Sequence, residues 1–206
     1  MAYQLNLAIK PADLQSLIDN NQQIIVIKSP FENGAVPWVS LAPALSNCIQ
    51  WGDNYYLWAQ MERVQPGSVV RMDYQTAALP GRRYNFQPFG SFFPSDGDGV
   101  QPTSYQVINL FTLQLYTTFG MAQPVQVNGS LAMVNPINAF VITSNNLITF
   151  SGQNRVTLFI SNTIAEAELI PTAYPVNALV IDFALPVNEV NVIYDAETGG
   201  FVHAGL

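Results

Sequence analysis

The residues best suited to chemistry in this 206-residue chain lie in one short run, Trp51-Gly52-Asp53-Asn54-Tyr55-Tyr56-Leu57-Trp58, with Trp38 upstream. Indole and phenol faces stack on the apolar patches of sugars or sit at lipid headgroup level, while Asp and Asn supply directional hydrogen bonds. The candidate ligand-binding residues are therefore Trp51, Asp53, Asn54, Tyr55, Tyr56 and Trp58. The ligand class they suit is a neutral glycan or a lipid surface. The competing reading of the same residues is aromatic packing inside a β core with the polar tips satisfied. Alternation puts Tyr56 and Trp58 on the face opposite Tyr55 and Leu57, so one of these pairs is the candidate for an outward face.

Other chemistry is thinly supplied. His203 is the one histidine, and a triad or a metal cluster needs partners that it lacks nearby. The single Cys48 excludes an intramolecular disulfide, and it would need a base from the far end of the chain to act as a nucleophile. Ser95-Asp96-Gly97-Asp98-Gly99 spaces its carboxylates as a calcium loop does, which makes Asp96 and Asp98 the candidate metal ligands. A plain Asp-Gly turn accounts for the same residues. Asp53, Glu62, Asp73, Asp182 and Glu189 show no spacing that singles out an acid–base pair for glycoside hydrolysis. Asn128-Gly129-Ser130 fits a glycosylation acceptor and equally a turn. The expectation is a protein that is not an enzyme and uses no cofactor.

The elements that must position these residues are β-strands. Charged residues make up 10% of the chain while hydrophobic ones make up 49%, so the surface has to be mostly neutral and polar. A net charge of -7 with only seven basic residues argues against nucleic acid as a partner. From Gly99 to Asn154 there is no charged residue and no histidine; Ser, Thr, Asn and Gln alternate with Val, Ile, Leu, Phe and Tyr. Alternation of this kind gives a sheet with one apolar and one neutral polar face. Three fates are open to it: a sandwich core, a subunit interface, or a β-hairpin over 139–159 that enters a membrane. Leu147 to Phe150 and Arg155 to Ser161 are read as strands paired through 151–154, and the membrane hairpin would turn at the same four residues. Gly120 and Pro124 would break a longer ladder in Phe111 to Val127.

At the N-terminus the pattern reads strand, helix, strand. Tyr3, Leu5 and Leu7 alternate, Pro11 opens a helix with Asp13 in its first turn, and the helix carries an apolar stripe of Leu14, Leu17 and Ile18. Ile24 to Ile27 is a buried strand. Gly52-Asp53-Asn54 is read as a turn between two strands, and 89–101 as the most loop-like segment, with Phe89, Phe92 and Phe93 either tucked under or exposed for a reason. Further strands are read at Val36 to Leu41, 166–170, Asn177 to Phe183, Glu189 to Asp195 and Phe201 to His203.

The expected fold is a mainly β, antiparallel β-sandwich or flattened barrel of about ten to twelve strands with one short N-terminal helix, forming a single domain over 1–206. The expected function is non-enzymatic recognition of a neutral glycan or lipid surface, as in a toxin or defence factor. The alternatives are a self-assembling structural protein or homo-oligomer, a β-pore-forming toxin and, ranked last, a glycoside hydrolase. With no apolar leader in the sequence as it stands, synthesis in the cytosol is expected, with later release left open.

Overall fold

Alternation decides the first element: β1 (Ala2–Ala8) buries Tyr3, Leu5 and Leu7 and turns Gln4 and Asn6 outward. The computed structural model describes residues 2–28, 34–96, 98–152, 154–164, 167–170, 175–183 and 186–205. Helix α1 (Pro11–Asp19) starts on its proline, carries Asp13 in the first turn and ends where Asn20 Nδ2 donates to Ser16 O at 2.8 Å. It buries Leu17, whereas Ile18, expected on the same stripe, stays 48% exposed. β2 (Gln23–Ile27) is central, paired on both sides, which is why its apolar run is unbroken.

The next strands are β3 (Pro37–Leu41), β4 (Ser46–Gly52), β5 (Tyr55–Gln60), β6 (Tyr74–Ala78), β7 (Arg82–Gln87) and β8 (Ser91–Ser95). After them come β9 (Ser104–Asn109), β10 (Tyr116–Val127), β11 (Met133–Pro136), β12 (Phe140–Thr143) and β13 (Leu147–Ser151). The chain closes with β14 (Arg155–Ser161), β15 (Leu179–Asp182), β16 (Glu189–Asp195) and β17 (Gly200–His203). Seventeen strands and one helix among the described residues make the protein mainly β, as expected; the strand total is higher than the expected dozen because the uncharged stretch alone is cut into five.

One large sheet runs β17-β16-β1-β4-β10-β5-β6, with β11 and β12 also paired to β10. Two four-stranded sheets, β15-β14-β2-β3 and β13-β9-β7-β8, cover its inner face. The first covers the β1–β4 half, where Trp38 meets Trp51 edge-on at 5.3 Å between ring centroids. The second covers the β5–β10 half, where Phe86 meets Phe119 at 5.2 Å. The β1–β16 and β7–β9 pairs are parallel and the other ladders are antiparallel.

β10 is the organising strand, since it pairs with β4, β5, β11 and β12. Its residues explain the missing charge. The face away from the main core is covered by a second apolar cluster that includes Val36, Trp58, Val64 and Leu169. Buried polar side chains of this region bond to backbone: Thr118 Oγ1 donates to Glu62 O at 2.7 Å, and Asn138 Oδ1 accepts from Met121 N–H at 2.7 Å. A charge in such places would cost far more to desolvate.

Several local expectations are corrected. Gly52-Asp53-Asn54 does not turn the chain back. β4 pairs β10 up to Trp51↔Val125 and β5 resumes at Tyr56↔Ala122, so the β4–β5 chain advances five residues while β10 advances three. The segment is a two-residue bulge in one long run, built from residue types that serve turns and bulges alike. Pro124 faces this gap, where no ladder bond to β4 or β5 is needed, and β10 passes unbroken through it and Gly120. The 139–159 hairpin does not form either: β12 pairs β10, β13 pairs β9, and β14 pairs β2 and β15, in three different sheets. The loop-like segment contains β8, an edge strand whose Pro94 keeps it from offering a full ladder to another chain. Around Val69 and Glu168 there is only an isolated bridge, and residue 166 of the strand expected there lies outside the described residues.

Candidate binding site

The bulge sets the geometry of the region that the sequence singled out. Trp51 points inward from β4 and is 5% exposed, with its ring stacked on Tyr3 at 5.6 Å and set edge-on to Phe183 at 4.9 Å. Behind it lies Lys28, just past the end of β2 and 1% exposed. Its Nζ sits 4.6 Å from the Trp38 ring centroid and 4.7 Å from that of Trp51, in the corner between two perpendicular indoles. Lys28 Nζ also donates to Gln123 Oε1, while Gln123 Nε2 donates to Gly52 O and so ties the lysine to the bulge. Trp38 Nε1 closes the ring by donating to Gln123 O at 3.2 Å. Burial holds the Lys28 amine well below its ordinary pKa, and the Asp53 carboxylate works against that.

Asp53, itself exposed, joins this network at its outer edge through Tyr3 rather than standing on an aromatic platform. The Tyr3 hydroxyl donates to it and accepts from Asn154 Nδ2 at 2.7 Å; burial first, then the Asp53 charge, raises the Tyr3 pKa. Tyr55 goes into the main core beside Tyr105, 5.8 Å away. Trp58 is fully buried on the opposite face of the sheet, with Nε1 donating to Met121 O at 3.0 Å, and the half-buried Tyr56 packs against the same second core. Both faces of β5 are therefore covered, because the connections around Val36, Val64 and Leu169 close over the one that alternation left open.

Trp51 and Asn54 do share a concavity. A depression of about 520 Å³ on the outer side of the large sheet is lined by these two residues with Gln4, Gln50, Gln126 and Glu189. The last four stand in one row by register: Gln126↔Gln50, Gln50↔Gln4 and Gln4↔Glu189 across β10, β4, β1 and β16. Three of the four, Gln50, Gln4 and Glu189, are linked through their side chains, Gln4 and Glu189 by way of Asn6. Gln50 Nε2 donates to Gln4 Oε1 at 2.6 Å, Gln4 Nε2 to Asn6 Oδ1 at 3.0 Å, and Asn6 Nδ2 to both Glu189 Oε1 at 2.8 Å and Asn191 Oδ1 at 2.9 Å. Sequence reasoning missed this row. The outward alternation of Gln4 and Asn6 was visible, but the pairing that aligns them with residues far along the chain was not.

The remaining candidates separate from the depression. Asp96 is paired with Arg82 at 3.2 Å, and Arg83 Nη2 donates to Asp98 O at 3.4 Å, so the two arginines meet this loop. Gly97 between them lies outside the described residues. Among the described residues no three His, Cys, Asp or Glu side chains converge as a metal site would require. Cys48 is half-buried near the row, and burial first, then Glu189, raises its pKa, which disfavours the thiolate that a nucleophile needs. No family model, curated protein or solved structure matches this chain.

Proposed function

We propose that this chain is a non-enzymatic recognition protein that binds a neutral saccharide across the Gln126–Gln50–Gln4–Glu189 row. The observation that carries the reading is the row itself: four in-register polar side chains beside a depression of about 520 Å³. Amides offer both donors and acceptors to hydroxyl groups, and a single carboxylate accepts from a hydroxyl that the amides leave over. Because Gln50, Gln4 and Glu189 are already tied into one hydrogen-bonded chain through Asn6, little of their rotamer freedom remains to be lost when a ligand arrives. The three glutamine amides also avoid the desolvation cost that charged groups in their places would impose on an uncharged ligand.

A neutral-glycan array followed by calorimetry on the strongest ligands tests this. Gln50→Ala is expected to weaken binding at least tenfold, about 1.4 kcal/mol. Gln75→Ala, on exposed β6 backbone outside the depression, is expected to leave it unchanged. An array without neutral-glycan binding, or binding indifferent to Gln50→Ala, would sink the proposal.

A further inference from the structure

The end of the molecule where β10 begins carries a second surface. Three connections meet there: the β7–β8 turn, the β9–β10 segment and the β12–β13 turn. Leu110 N–H donates to Phe86 O at 2.9 Å, Asn109 N–H to Asn146 O at 2.9 Å and Ser144 N–H to Leu115 O at 3.1 Å. From these bonded connections large apolar side chains stand out into solvent: Phe89 is 90% exposed, Leu113 77% and Leu115 65%. Of the three phenylalanines read as a cluster, only Phe92 is tucked in, 4.9 Å from Phe86.

This exposure is built in. Pro88-Phe89-Gly90 is a three-residue hairpin loop in which Gly90 takes φ +73°, the arrangement of a type I turn followed by a left-handed residue. A Cβ on Gly90 would lie 2.3 Å from the Tyr74 ring, so the turn is pressed onto that ring at Gly90 while Phe89 beside it stands in solvent. The segments 87–91, 110–116 and 143–147 contain no charged residue in a chain of net charge -7. At their edge Tyr116 lies under the Arg63 guanidinium, 5.1 Å from the ring centroid. An apolar tip bordered by an aromatic ring and a long basic side chain matches the layering of a bilayer interface, where tyrosine sits at headgroup depth and arginine reaches outward.

We infer that this crown docks the protein on a lipid bilayer of zwitterionic headgroups, with Phe89, Leu113 and Leu115 entering the acyl boundary. The occupant follows from shape and charge. The apolar groups are separate convex projections, which fluid lipid accepts without a complementary partner surface, and the negative chain as a whole disfavours attraction to anionic lipid. The saccharide depression lies at the other end of β10, up to ~33 Å away for ten extended residues, so docking leaves it facing the solution.

Cosedimentation with phosphatidylcholine vesicles, with analytical ultracentrifugation in parallel, is the test. The wild type is expected to bind these vesicles equally at low and high salt, and no more weakly than vesicles containing phosphatidylserine. Phe89→Asp with Leu113→Asp should lower partitioning at least tenfold while the circular dichroism spectrum and saccharide binding stay unchanged. Absence of binding to phosphatidylcholine, binding that needs anionic lipid and fades with salt, or an unaffected double variant would each overturn the inference. So would a dimer that Phe89→Asp dissociates, because the crown would then be covered by a second copy.

Discussion

Lys28→Ala is expected to destabilise the fold by about 3 kcal/mol or more, although the residue is a lysine in a chain with few charges. The side chain fills the corner between Trp38 and Trp51 and satisfies Gln123, so truncation leaves a cavity between two indoles and an unpaired buried amide oxygen. Lys28→Met separates volume from charge. It keeps the packing and removes the cost of a buried amine while leaving Gln123 Oε1 unpaired as in Lys28→Ala, so it is expected to cost less than Lys28→Ala, about 1–2 kcal/mol at pH 7. The pH dependence has a definite sign. The unfolded chain holds the Lys28 proton up to the ordinary value of 10.5, whereas burial makes the folded state release it at lower pH. Between those limits the unfolded state binds more protons, so folding stability rises with pH. The favourable contribution is complete above 10.5 and is lost as pH falls through the folded value. Urea unfolding across pH 7 to pH 10 should therefore show the wild type gaining on Lys28→Met as pH rises; a constant difference would mean that Lys28 is not buried as described.

Gly120→Ala is expected to cost about 3 kcal/mol, the upper end of overpacking effects, which for a chain of this length is a fall of roughly 6–12 °C in Tm. A Cβ at Gly120 would lie 2.0 Å from Asn138 O and 2.5 Å from the Trp58 ring, which sits directly opposite in the β5–β10 register. The obstacle is backbone as well as ring. Adding Trp58→Phe to Gly120→Ala should therefore recover little. A neutral Gly120→Ala in a thermal melt would contradict the close approach of the 138 backbone to β10.

How far the sequence reached can be judged from the same residues. The strand–helix–strand opening was legible because Tyr3, Leu5 and Leu7 alternate, Pro11 marks a helix start and Ile24 to Ile27 is continuously apolar. The strands of the uncharged stretch were legible for the same reason. Their partners were not, since alternation fixes a strand's faces and leaves its neighbours undetermined: β13 and β14, adjacent in sequence, pair in different sheets. Gly52-Asp53-Asn54 looked like a turn because bulges use the same residues, and only the register against β10 tells the two apart. Lys28 drew no notice as a lone cation after an apolar run; its burial comes from Trp38, Trp51 and Gln123, on three other strands. At the candidate site the aromatic run was conspicuous but faces inward. The amides now proposed to bind are ordinary outward positions until four strands bring them into line.

The central claim, that the amide row contacts a neutral saccharide, is tested most directly by following the side-chain NH₂ resonances in a ¹⁵N–¹H correlation spectrum during titration with the strongest glycan from the array. The account predicts that the Gln4, Gln50 and Gln126 side-chain signals shift together and saturate at one affinity, while those of Gln75 and Asn145 stay in place. Shifts confined to amides away from the depression, with Gln4 and Gln50 unmoved at saturation, would contradict it.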